Sequence, residues 1–297
     1  MGDYQAYFRA KRAGRMPAEG EDLRGVNVRA LQSVFALAAV DSEEVRTMVR
    51  MSLVEVYNEK IVDLLGAEAD SAAAVMMAAK ENAAGGGKKN RDMKLFGTSR
   101  GGDDGGAGSE LPGLEVRLGK NGSYVEGLSE HDVTGEEEVM ALIEKGQALR
   151  TVASNNINEH SSRSHLVILV RVVRENVISG SVTSGQMTLV DLAGSERLKT
   201  TGASGQRLRE AQHINKSLSS LGDVISALGT SQKHVPYRNS KLTFLLQDTL
   251  REGSKVLMFV NVSPVPDFAS ESTCSLNFAS RCRAVPLGQS SLNRVYK

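Results

Sequence analysis

Two kinds of apolar pattern alternate along this chain, and their alternation restricts the fold more than any other feature. Between Leu208 and Leu228 the apolar positions recur every three or four residues, which predicts one long helix closed by Gly229. The segments 45–57 and 166–173 are instead alternating or continuous apolar runs, as buried strands are. Strands that alternate with amphipathic helices predict a layered α/β domain.

The same two patterns predict the remaining elements. Helices are expected at 27–39, 134–149, 239–251 and 271–285, strands at 114–118, 123–125, 186–190 and 256–262, and a helical turn at 58–65 that buries Ile61, Leu64 and Leu65. Thr134 and Glu137 have the spacing of a capping box, which would begin the helix there. The strands at 166–173 and 186–190 flank a polar turn, so they should pair or lie side by side.

Two stretches fall outside these patterns. Residues 1–22 carry mixed charge without periodicity, and we expect a poorly ordered N-terminus. Residues 67–110 are rich in Ala and then in Gly, a composition that buries too little apolar surface to offset the entropy of ordering. We therefore expect a disordered insertion there.

Composition excludes several classes of function. With 36 Lys and Arg against 35 Asp and Glu, no overall field attracts nucleic acid or a membrane surface. The absence of Trp and an aromatic content of 4% argue against a protein that stacks single-stranded bases. Two cysteines, Cys274 and Cys282, form no disulfide framework, which fits a reducing compartment and a cytosolic location. The N-terminus has no apolar leader-like region, and no apolar run approaches the length of a membrane span.

An apolar strand ends at Asp191, and Gly194 follows three residues later. A carboxylate at the carboxyl end of a strand can hold Mg²⁺ through water, and Gly lets a backbone N–H approach a phosphate closely. Nucleotide hydrolases use this arrangement to sense a γ-phosphate. A strand that merely ends in a turn has the same pattern, so the tetrapeptide alone leaves both interpretations open.

A polar segment at 155–165 directly precedes an apolar strand. It places the hydroxyls of Ser161 and Ser162 beside Arg163, and hydroxyls can ligate Mg²⁺ and hydrogen-bond phosphate oxygens. Arg163 is also suited to pair with an acid such as Glu196 and so latch two loops together. A solvated linker is the alternative for such a Ser-rich stretch. The two His residues of the segment lack a third ligand at zinc spacing, which argues against a metal site.

Together these segments resemble the kinesin motor domain, and the resemblance extends from about 25 to 288. Residues 158–165 resemble switch I, 191–196 switch II, 211–228 the relay helix, 234–248 the microtubule-binding loop with its helix, and 54–61 the strand before the first long surface loop. The Gly-Asp-Val-Ile of the relay helix and the segment 274–288 look most like the C-terminal-motor, minus-end-directed branch.

The resemblance implies an α/β fold, an incomplete P-loop-NTPase-like kinesin motor domain with a mixed central sheet flanked by helices. Residues 23–288 would form this partial domain around the insertion, with 289–297 as a C-terminal tail. Implied cofactors are ATP and Mg²⁺, and the implied partner is the microtubule, with no nucleic acid and no membrane. The implied location is the cytoplasm, on the microtubule cytoskeleton. For the full-length protein the resemblance implies a homodimer through a neck coiled coil that these residues do not contain.

Site residues also follow from the resemblance. Ser161 would approach the γ-phosphate, Ser162 would ligate Mg²⁺, Asp191 would hold Mg²⁺ through water, Gly194 would donate its N–H to the γ-phosphate, Arg163 would pair with Glu196, and Asn158 would belong to the same nucleotide-binding set. Microtubule contacts are expected at Lys233, Tyr237, Arg238 and Lys241, with a second contact at Arg117 and Lys120.

The sequence departs from the family in one respect, because no Gly-x-x-x-x-Gly-Lys-Ser/Thr segment occurs in its 297 residues. Its Gly-Lys pairs are Gly87-Lys88 and Gly119-Lys120, and neither is followed by Ser or Thr. In that motif the N–H groups cradle the phosphates, the Lys neutralises them and the hydroxyl holds Mg²⁺. The resemblance implies that about the first third of the motor, with three strands, is absent.

Three interpretations remain open: a truncated gene model of an active motor, a protein whose other part is another chain, and a degenerate kinesin that binds microtubules without hydrolysing ATP. We favour the first because the switch-like segments keep every residue that would contact nucleotide. The chain alone is then expected to be inactive. The alternative function is a non-catalytic microtubule- or partner-binding module, with 67–110 as a tether. An in-frame phosphate loop encoded upstream of Met1 would separate these possibilities.

Overall fold

The computed structural model of the chain describes residues 25–39, 44–67, 69, 113–120, 122–153, 163–195, 206–251, 253–286 and 295–296. The predicted disordered N-terminus at 1–22 lies outside the described residues, as does the insertion at 67–110 apart from Ala67 and Ala69. No helix in the described part of the chain is long and apolar enough to cross a membrane.

The centre of the fold is a sheet built around two long strands. Its members are β1 (Val45–Tyr57), β2 (Lys60–Asp63), β5 (His131–Asp132), β6 (His165–Asn176), β7 (Val182–Asp191) and β8 (Val295–Tyr296). The order is β2-β1-β6-β7-β8, with β5 beside β1, and all pairings among these strands are antiparallel. A separate hairpin consists of β3 (Val116–Gly119) and β4 (Gly122–Val125). A bridge between Ile61 and Leu114 joins this hairpin to the sheet.

Five α-helices occur in the described residues, and the last of them packs against the long helix rather than against the sheet. They are α1 (Val26–Ala38), α2 (Glu136–Ala153), α3 (Gln206–Gly229), α4 (Lys241–Leu245) and α5 (Ala269–Arg283). Short 3₁₀ turns precede α4 and α5, at Tyr237–Asn239 and Pro266–Phe268. The predicted helices at 27–39, 208–228 and 271–285 are thus confirmed, with ends shifted by a few residues.

Alternation along the strands gives the sheet two apolar faces, as a strand period of two requires. One face carries Met51, Leu53 and Ile168, which pack with Leu31 of α1 and Ile143 of α2. Gly146 lets α2 approach closely, since a Cβ there would lie 2.1 Å from Cδ2 of Leu53. The first face is therefore the contact layer of α1 and α2.

The opposite face holds a second core. Val54 and Val167 of the sheet pack with Val224 of α3, Leu242 of α4 and Val125 of the β3–β4 hairpin. Leu245, Leu246 and Leu250 complete this cluster from α4 and the turns that follow it. The long helix, the short helix and the hairpin thus form one lobe on this face, which we call the α3–α4 lobe.

Several predicted elements differ in the structure. Residues 58–65 are not a helical turn: Asn58 and Glu59, both with positive φ, form the two-residue turn of the β1–β2 hairpin. Ile61 of β2 and Leu64 and Leu65, which follow β2, are buried as expected, Ile61 in one core and the two leucines in the other. The capping box at Thr134 also differs, since Glu138 rather than Glu137 accepts the Thr134 N–H at 2.7 Å. The helix accordingly begins at Glu136.

Two further predictions are corrected. The helix expected at 239–251 is limited to α4, capped by Ser240, whose hydroxyl accepts from the N–H of Thr243. The chain then turns so that Leu246 and Leu250 reach the core of the α3–α4 lobe. The strand expected at 256–262 has no pairing within the described residues, and its apolar side chains are exposed, Leu257 by 78%. Apolar character alone forms no strand there, because a strand needs a hydrogen-bonding neighbour.

Candidate functional site

Three strands bring their functional ends together at one edge of the sheet. In the register, Glu55 of β1 pairs with Leu166 of β6, and Leu166 pairs with Asp191 of β7. The residues just before β6 and just after β7 therefore meet at this edge. These are Arg163 and Gly194, which sequence analysis assigned to two different switch-like segments.

A buried ion pair fixes this edge to α2. Nε of Arg150 lies 3.0 Å from Oε1 of Glu55, and the two side chains are only 10% and 6% exposed. The same guanidinium donates to the Ser164 hydroxyl at 2.7 Å and to the Ser164 carbonyl at 2.9 Å. Because a buried charge must be paired and hydrogen-bonded, this arrangement holds the backbone beside Arg163 in one place.

The next residue, His165, faces the opposite layer. Its Nδ1 accepts a hydrogen bond from the backbone N–H of Ala193 at 3.0 Å, and its Nε2 lies 2.8 Å from the hydroxyl of Ser217 on α3. The Ser217 hydroxyl donates to the carbonyl of Ile214 at 2.8 Å. Burial, with a smaller effect from the Arg150 charge, lowers the pKa of His165 to about 4.

Asp191 lies at the end of β7, and the structure places it at the same edge. Burial raises the pKa of this carboxyl, while the nearby Arg150 charge opposes the rise. Gly194 follows in an extended, partly exposed loop, and Arg163 is partly buried beside the start of β6. The predicted residues Asn158, Ser161, Ser162 and Glu196 lie outside the described residues.

The described residues at this edge suit the binding of Mg²⁺ and of the phosphate groups of a nucleotide. It offers one carboxylate, a glycine N–H and a guanidinium, the groups that bind a hydrated divalent cation and phosphate oxygens. Asp191 and Gly194 would hold such a group here, with the hydroxyls of Ser161 and Ser162 expected from the preceding segment. The 297 residues contain no Gly-x-x-x-x-Gly-Lys-Ser/Thr loop, so the remaining phosphate ligands of the family are not among them.

Sequence analysis missed the residues that hold this edge together, namely Glu55, Arg150, Ser164, His165 and Ser217. One signal was available for Glu55, because an acid in the middle of an apolar strand must be buried and needs a cation. No local sequence pattern indicates a role for Ser217, because its partner, His165, lies 52 positions away. His165 was noted only as a rejected metal ligand.

On the α3–α4 lobe, the predicted microtubule residues take two kinds of position. Lys233 and Arg238 are exposed, with Arg238 above the ring of Phe244 at 5.5 Å, and Lys120 is exposed at the tip of the hairpin. Arg117 is also exposed, 3.0 Å from Glu126. Together these residues give the lobe a basic outer surface.

Lys241 and Tyr237 instead serve the lobe itself. The ammonium group of Lys241 contacts the carboxylate of Glu115, and its side chain is 28% exposed. The Tyr237 hydroxyl donates to the carbonyl of Leu250 at 3.2 Å, and burial raises its pKa. Lys241 thus connects α4 to the segment before β3, and Tyr237 connects the 3₁₀ turn before α4 to the turns after it.

Two acids join the parts of this lobe. Oε2 of Glu59 accepts from the N–H of Lys241 at 3.1 Å and lies 3.7 Å from Nζ of Lys216 on α3. Asp248 accepts from the Ser123 hydroxyl at 2.9 Å, and from the Ser123 N–H, and so ties the hairpin to the turns after α4. The long helix is therefore linked to the switch-like edge through Ser217 and, through Lys216 and Glu59, to the start of α4.

A cavity of about 270 Å³ lies elsewhere, between the sheet and the β3–β4 hairpin. Arg50 and Arg171 line it and lie 3.5 and 3.6 Å from the carboxylate of Glu130. None of the residues predicted for nucleotide or microtubule binding lines this cavity. We therefore place the candidate site at the switch-like edge, where Arg163, Asp191 and Gly194, the described members of the predicted nucleotide-binding set, lie.

Comparison with known proteins decides the family. The kinesin motor domain profile matches residues 14–285, which is most of the chain. The chain belongs to the kinesin motor domain family. This confirms the fold expected from the sequence, and the structure agrees with solved kinesins. It matches the structure of a fast kinesin with a TM-score of 0.70 at 35% identity, covering 92% of this chain and 65% of that one.

Curated relatives point to one branch of the kinesins. The chain is 44% identical to the kinesin-like protein KIN-14E of Oryza sativa subsp. japonica over 89% of its length, and 43% identical to KIN-14R of Arabidopsis thaliana over 89%. It spans 21% of each of these relatives. A solved structure of the C-terminal motor of Kar3Vik1 matches with a TM-score of 0.64 at 34% identity, covering 87% of this chain and 57% of that one. The expected likeness to C-terminal-motor kinesins is confirmed.

Proposed function

We propose that this chain is part of an ATP-dependent, microtubule-based motor of the KIN-14 type. The observation that carries the proposal is the continuous connection from the switch-like edge to the basic surface. Asp191 and Gly194 lie at the start of that connection, α3 runs through it, and Lys233 and Arg238 lie at its far end. A solved KIF14 dimer in complex with a microtubule, with a TM-score of 0.70 at 32% identity, covers 92% of this chain and 68% of that one.

At the nucleotide end, ATP supplies the phosphoanhydride whose hydrolysis drives the motor, and Mg²⁺ neutralises its phosphates. Asp191 would hold the hydrated cation through its carboxylate, and Gly194 would present its N–H toward the γ-phosphate. Ser161 and Ser162 would add hydroxyl ligands, with Asn158 in the same binding set. Arg163 would pair with Glu196 and close the two loops, so water would be excluded from all but the attacking position.

At the microtubule end, the α3–α4 lobe presents exposed cations to an acidic partner. Lys233, Arg238, Arg117 and Lys120 are the exposed members of the predicted set, and we expect them to make the electrostatic contacts. Lys241 and Tyr237 support the shape of the lobe, and Lys241 reaches tubulin only if it leaves Glu115. The protein would accordingly act on the microtubule cytoskeleton of the cytoplasm, as a dimer if a neck coiled coil is present.

Cosedimentation with stabilised microtubules tests the binding part directly on the 297-residue chain. The combined variant Lys233→Ala, Arg238→Ala, Lys120→Ala should weaken binding by about fivefold per charge at low salt, and its binding should depend less on salt. Arg46→Ala is the control for the loss of one exposed charge outside this surface, since Arg46 lies at the end of β1 away from the switch-like edge, and it is compared with the effect per charge in the triple variant. Equal binding of the triple variant and the control would show that the microtubule surface lies elsewhere.

The catalytic part needs a phosphate loop in the same polypeptide. We would join the motor segment that precedes the matched region of rice KIN-14E to this chain and measure phosphate release with and without microtubules. Stimulated turnover is expected, and Arg163→Ala or Glu196→Ala should abolish the stimulation while binding to microtubules persists. If neither substitution changes microtubule-stimulated turnover, the assignment of the switch segments is contradicted.

A non-catalytic binding module is the second candidate, favoured by the lack of a phosphate-loop motif in the 297 residues. The chain by itself should then bind microtubules without measurable affinity for a fluorescent ATP analogue. Micromolar affinity for the analogue would exclude this candidate and reveal an unrecognised phosphate cradle. Microtubule binding that persists without turnover in the joined protein would favour it.

A further inference from the structure

The protonation state of His165 follows from its neighbours. A backbone N–H only donates, so Nδ1 of His165 must accept from Ala193 and carries no proton. The Ser217 hydroxyl gives its proton to Ile214, so it accepts from Nε2–H of His165. The ring is therefore the neutral Nε2–H tautomer, with both nitrogens engaged.

All three members of this connection are buried. His165 is 2% exposed, Ser217 3% and Ala193 5%. Water has no access to replace a lost contact, so separation of the loop from the helix leaves an unsatisfied buried polar group. The connection therefore resists opening, unlike an exposed hydrogen bond.

His165 also sits where it can transmit a displacement. The preceding residue, Ser164, is held by Arg150 on the other face of the sheet, so the backbone at this point is anchored. The loop 191–195 and helix α3 meet at the His165 ring from two sides. A shift of Ala193 relative to this anchor must either break a buried hydrogen bond or carry Ser217 with it.

We propose that His165 is a positioning residue that couples the loop after β7 to the long helix α3, so that a displacement of one moves the other. The use of this coupling to pass a signal between the nucleotide and microtubule ends rests on the proposed function. The coupling itself does not, because it is a property of the folded chain. His165 touches neither phosphate nor microtubule in this assignment and acts through Ala193 and Ser217.

Hydrogen exchange of the Ala193 amide in the 297-residue chain tests the coupling. Ser217→Ala removes the acceptor on the helix and touches no atom of the loop, yet it should speed Ala193 exchange about three- to tenfold, as expected for one net hydrogen bond. Ser226→Ala is the matched control, since Ser226 makes the same hydrogen bond within α3, to Gly222 at 2.8 Å, without contacting His165. Unchanged Ala193 exchange in Ser217→Ala, or equal change in the control, would overturn the proposal.

Two conservative variants each keep one of the two hydrogen-bonding positions of the His165 ring. His165→Asn keeps an acceptor near the Nδ1 position, and His165→Gln keeps a donor near the Nε2 position. The Ala193 amide should stay protected from exchange in His165→Asn. Adding Ser217→Ala to that variant should have no further effect on Ala193 exchange, because the contact between residue 165 and Ser217 is already lost. In His165→Gln, Ala193 should exchange faster while residues 212–217 stay protected. Additive effects of His165→Asn and Ser217→Ala would refute the coupling.

Cosedimentation of the same samples separates this inference from the proposed function. If the wild-type chain fails to bind microtubules, the proposed function is contradicted, while the exchange results still decide the coupling. If it binds, bound microtubules should change Ala193 exchange in the wild type at least twofold more than in His165→Asn. An equal response of the two proteins would overturn the signalling use of His165.

Discussion

Arg150 of α2 and Glu55 of β1 form an ion pair of 3.0 Å in the protein interior, and the same guanidinium holds Ser164. One helix thereby fixes two strands at the edge where the switch-like segments meet. Because burial of two charges is costly, we infer that the pair serves to fix the geometry of this edge rather than to add net stability. This role is distinct from that of the exposed cations on the α3–α4 lobe.

Arg150→Ala should destabilise the chain by about 3–5 kcal/mol, because it leaves the Glu55 carboxylate buried without its partner. Arg117→Ala is the control, since its pair with Glu126 is 57% and 60% exposed and should contribute less than about 1 kcal/mol. Urea unfolding of both variants measures the difference. Similar losses in the two variants would mean that the interior pair is not what holds this edge.

Gly146→Ala should destabilise by about 1–3 kcal/mol, since the new Cβ would overlap Leu53 and push α2 off the sheet. Gly185→Ala is the control, because no atom lies within 4 Å of a Cβ built there. Thermal melts of the two variants give the comparison. A gain in stability for Gly146→Ala would show that α2 can move outward without cost.

Stability should fall as the pH drops from about 6.5 to about 4, and His165 should account for part of that fall. In the folded chain the His165 pKa is lowered to about 4. Between pH 6.5 and pH 4 the His165 ring therefore binds a proton in the unfolded chain but not in the folded chain. The stability contributed by the neutral ring is present above pH 6.5 and is lost through this window, by roughly 3 kcal/mol in total. Below about pH 4 this contribution no longer changes.

The variant His165→Gln isolates that contribution. Asp191 titrates in the opposite sense, because its raised folded pKa favours the folded state as the pH falls, but it is present in both proteins and cancels in their difference. The stability advantage of the wild type over His165→Gln should therefore shrink between pH 6.5 and 4. A constant difference across a pH series of urea titrations would contradict the neutral buried ring.

Lys241→Ala and Lys233→Ala should differ in their effects on the melting temperature and on microtubule binding, although each variant removes one cation. Lys233→Ala should weaken microtubule binding and leave the melting temperature unchanged, since Lys233 is exposed. Lys241→Ala should lower the melting temperature, because Lys241 ties α4 to Glu115. Cosedimentation and thermal melts of both variants measure the two effects. Identical behaviour would mean that the contact with Glu115 contributes nothing.

Local patterns predicted most of the elements of this fold. The long helix α3 and the strands β1 and β6 follow from periodicity, because each buries apolar residues at the predicted spacing, and β7 follows from its apolar run although its side chains are at most partly buried. The helix expected at 239–251 was overestimated since Leu246 and Leu250 fit a helical period but reach the core through turns. Tertiary packing there overrides the local preference.

The candidate site was predictable only in part. Asp191 and Gly194 carry a motif whose chemistry can be argued from the residues. The contacts of His165 join positions 28 and 52 residues apart, and no local pattern encodes such separations. The strand expected at 256–262 failed for the same reason, since strand formation depends on a neighbour that an apolar run does not specify.

Ser164 and His165 are adjacent, yet they form hydrogen bonds on opposite faces of the sheet. Ser164 contacts Arg150 of α2, and His165 contacts Ser217 of α3. Successive residues of an extended chain alternate between faces, so shifting this stretch by one residue would exchange these partners. A histidine would then meet a buried guanidinium, and a serine would meet the helix. Contacts on both faces of the sheet therefore set the register of the chain in this short stretch.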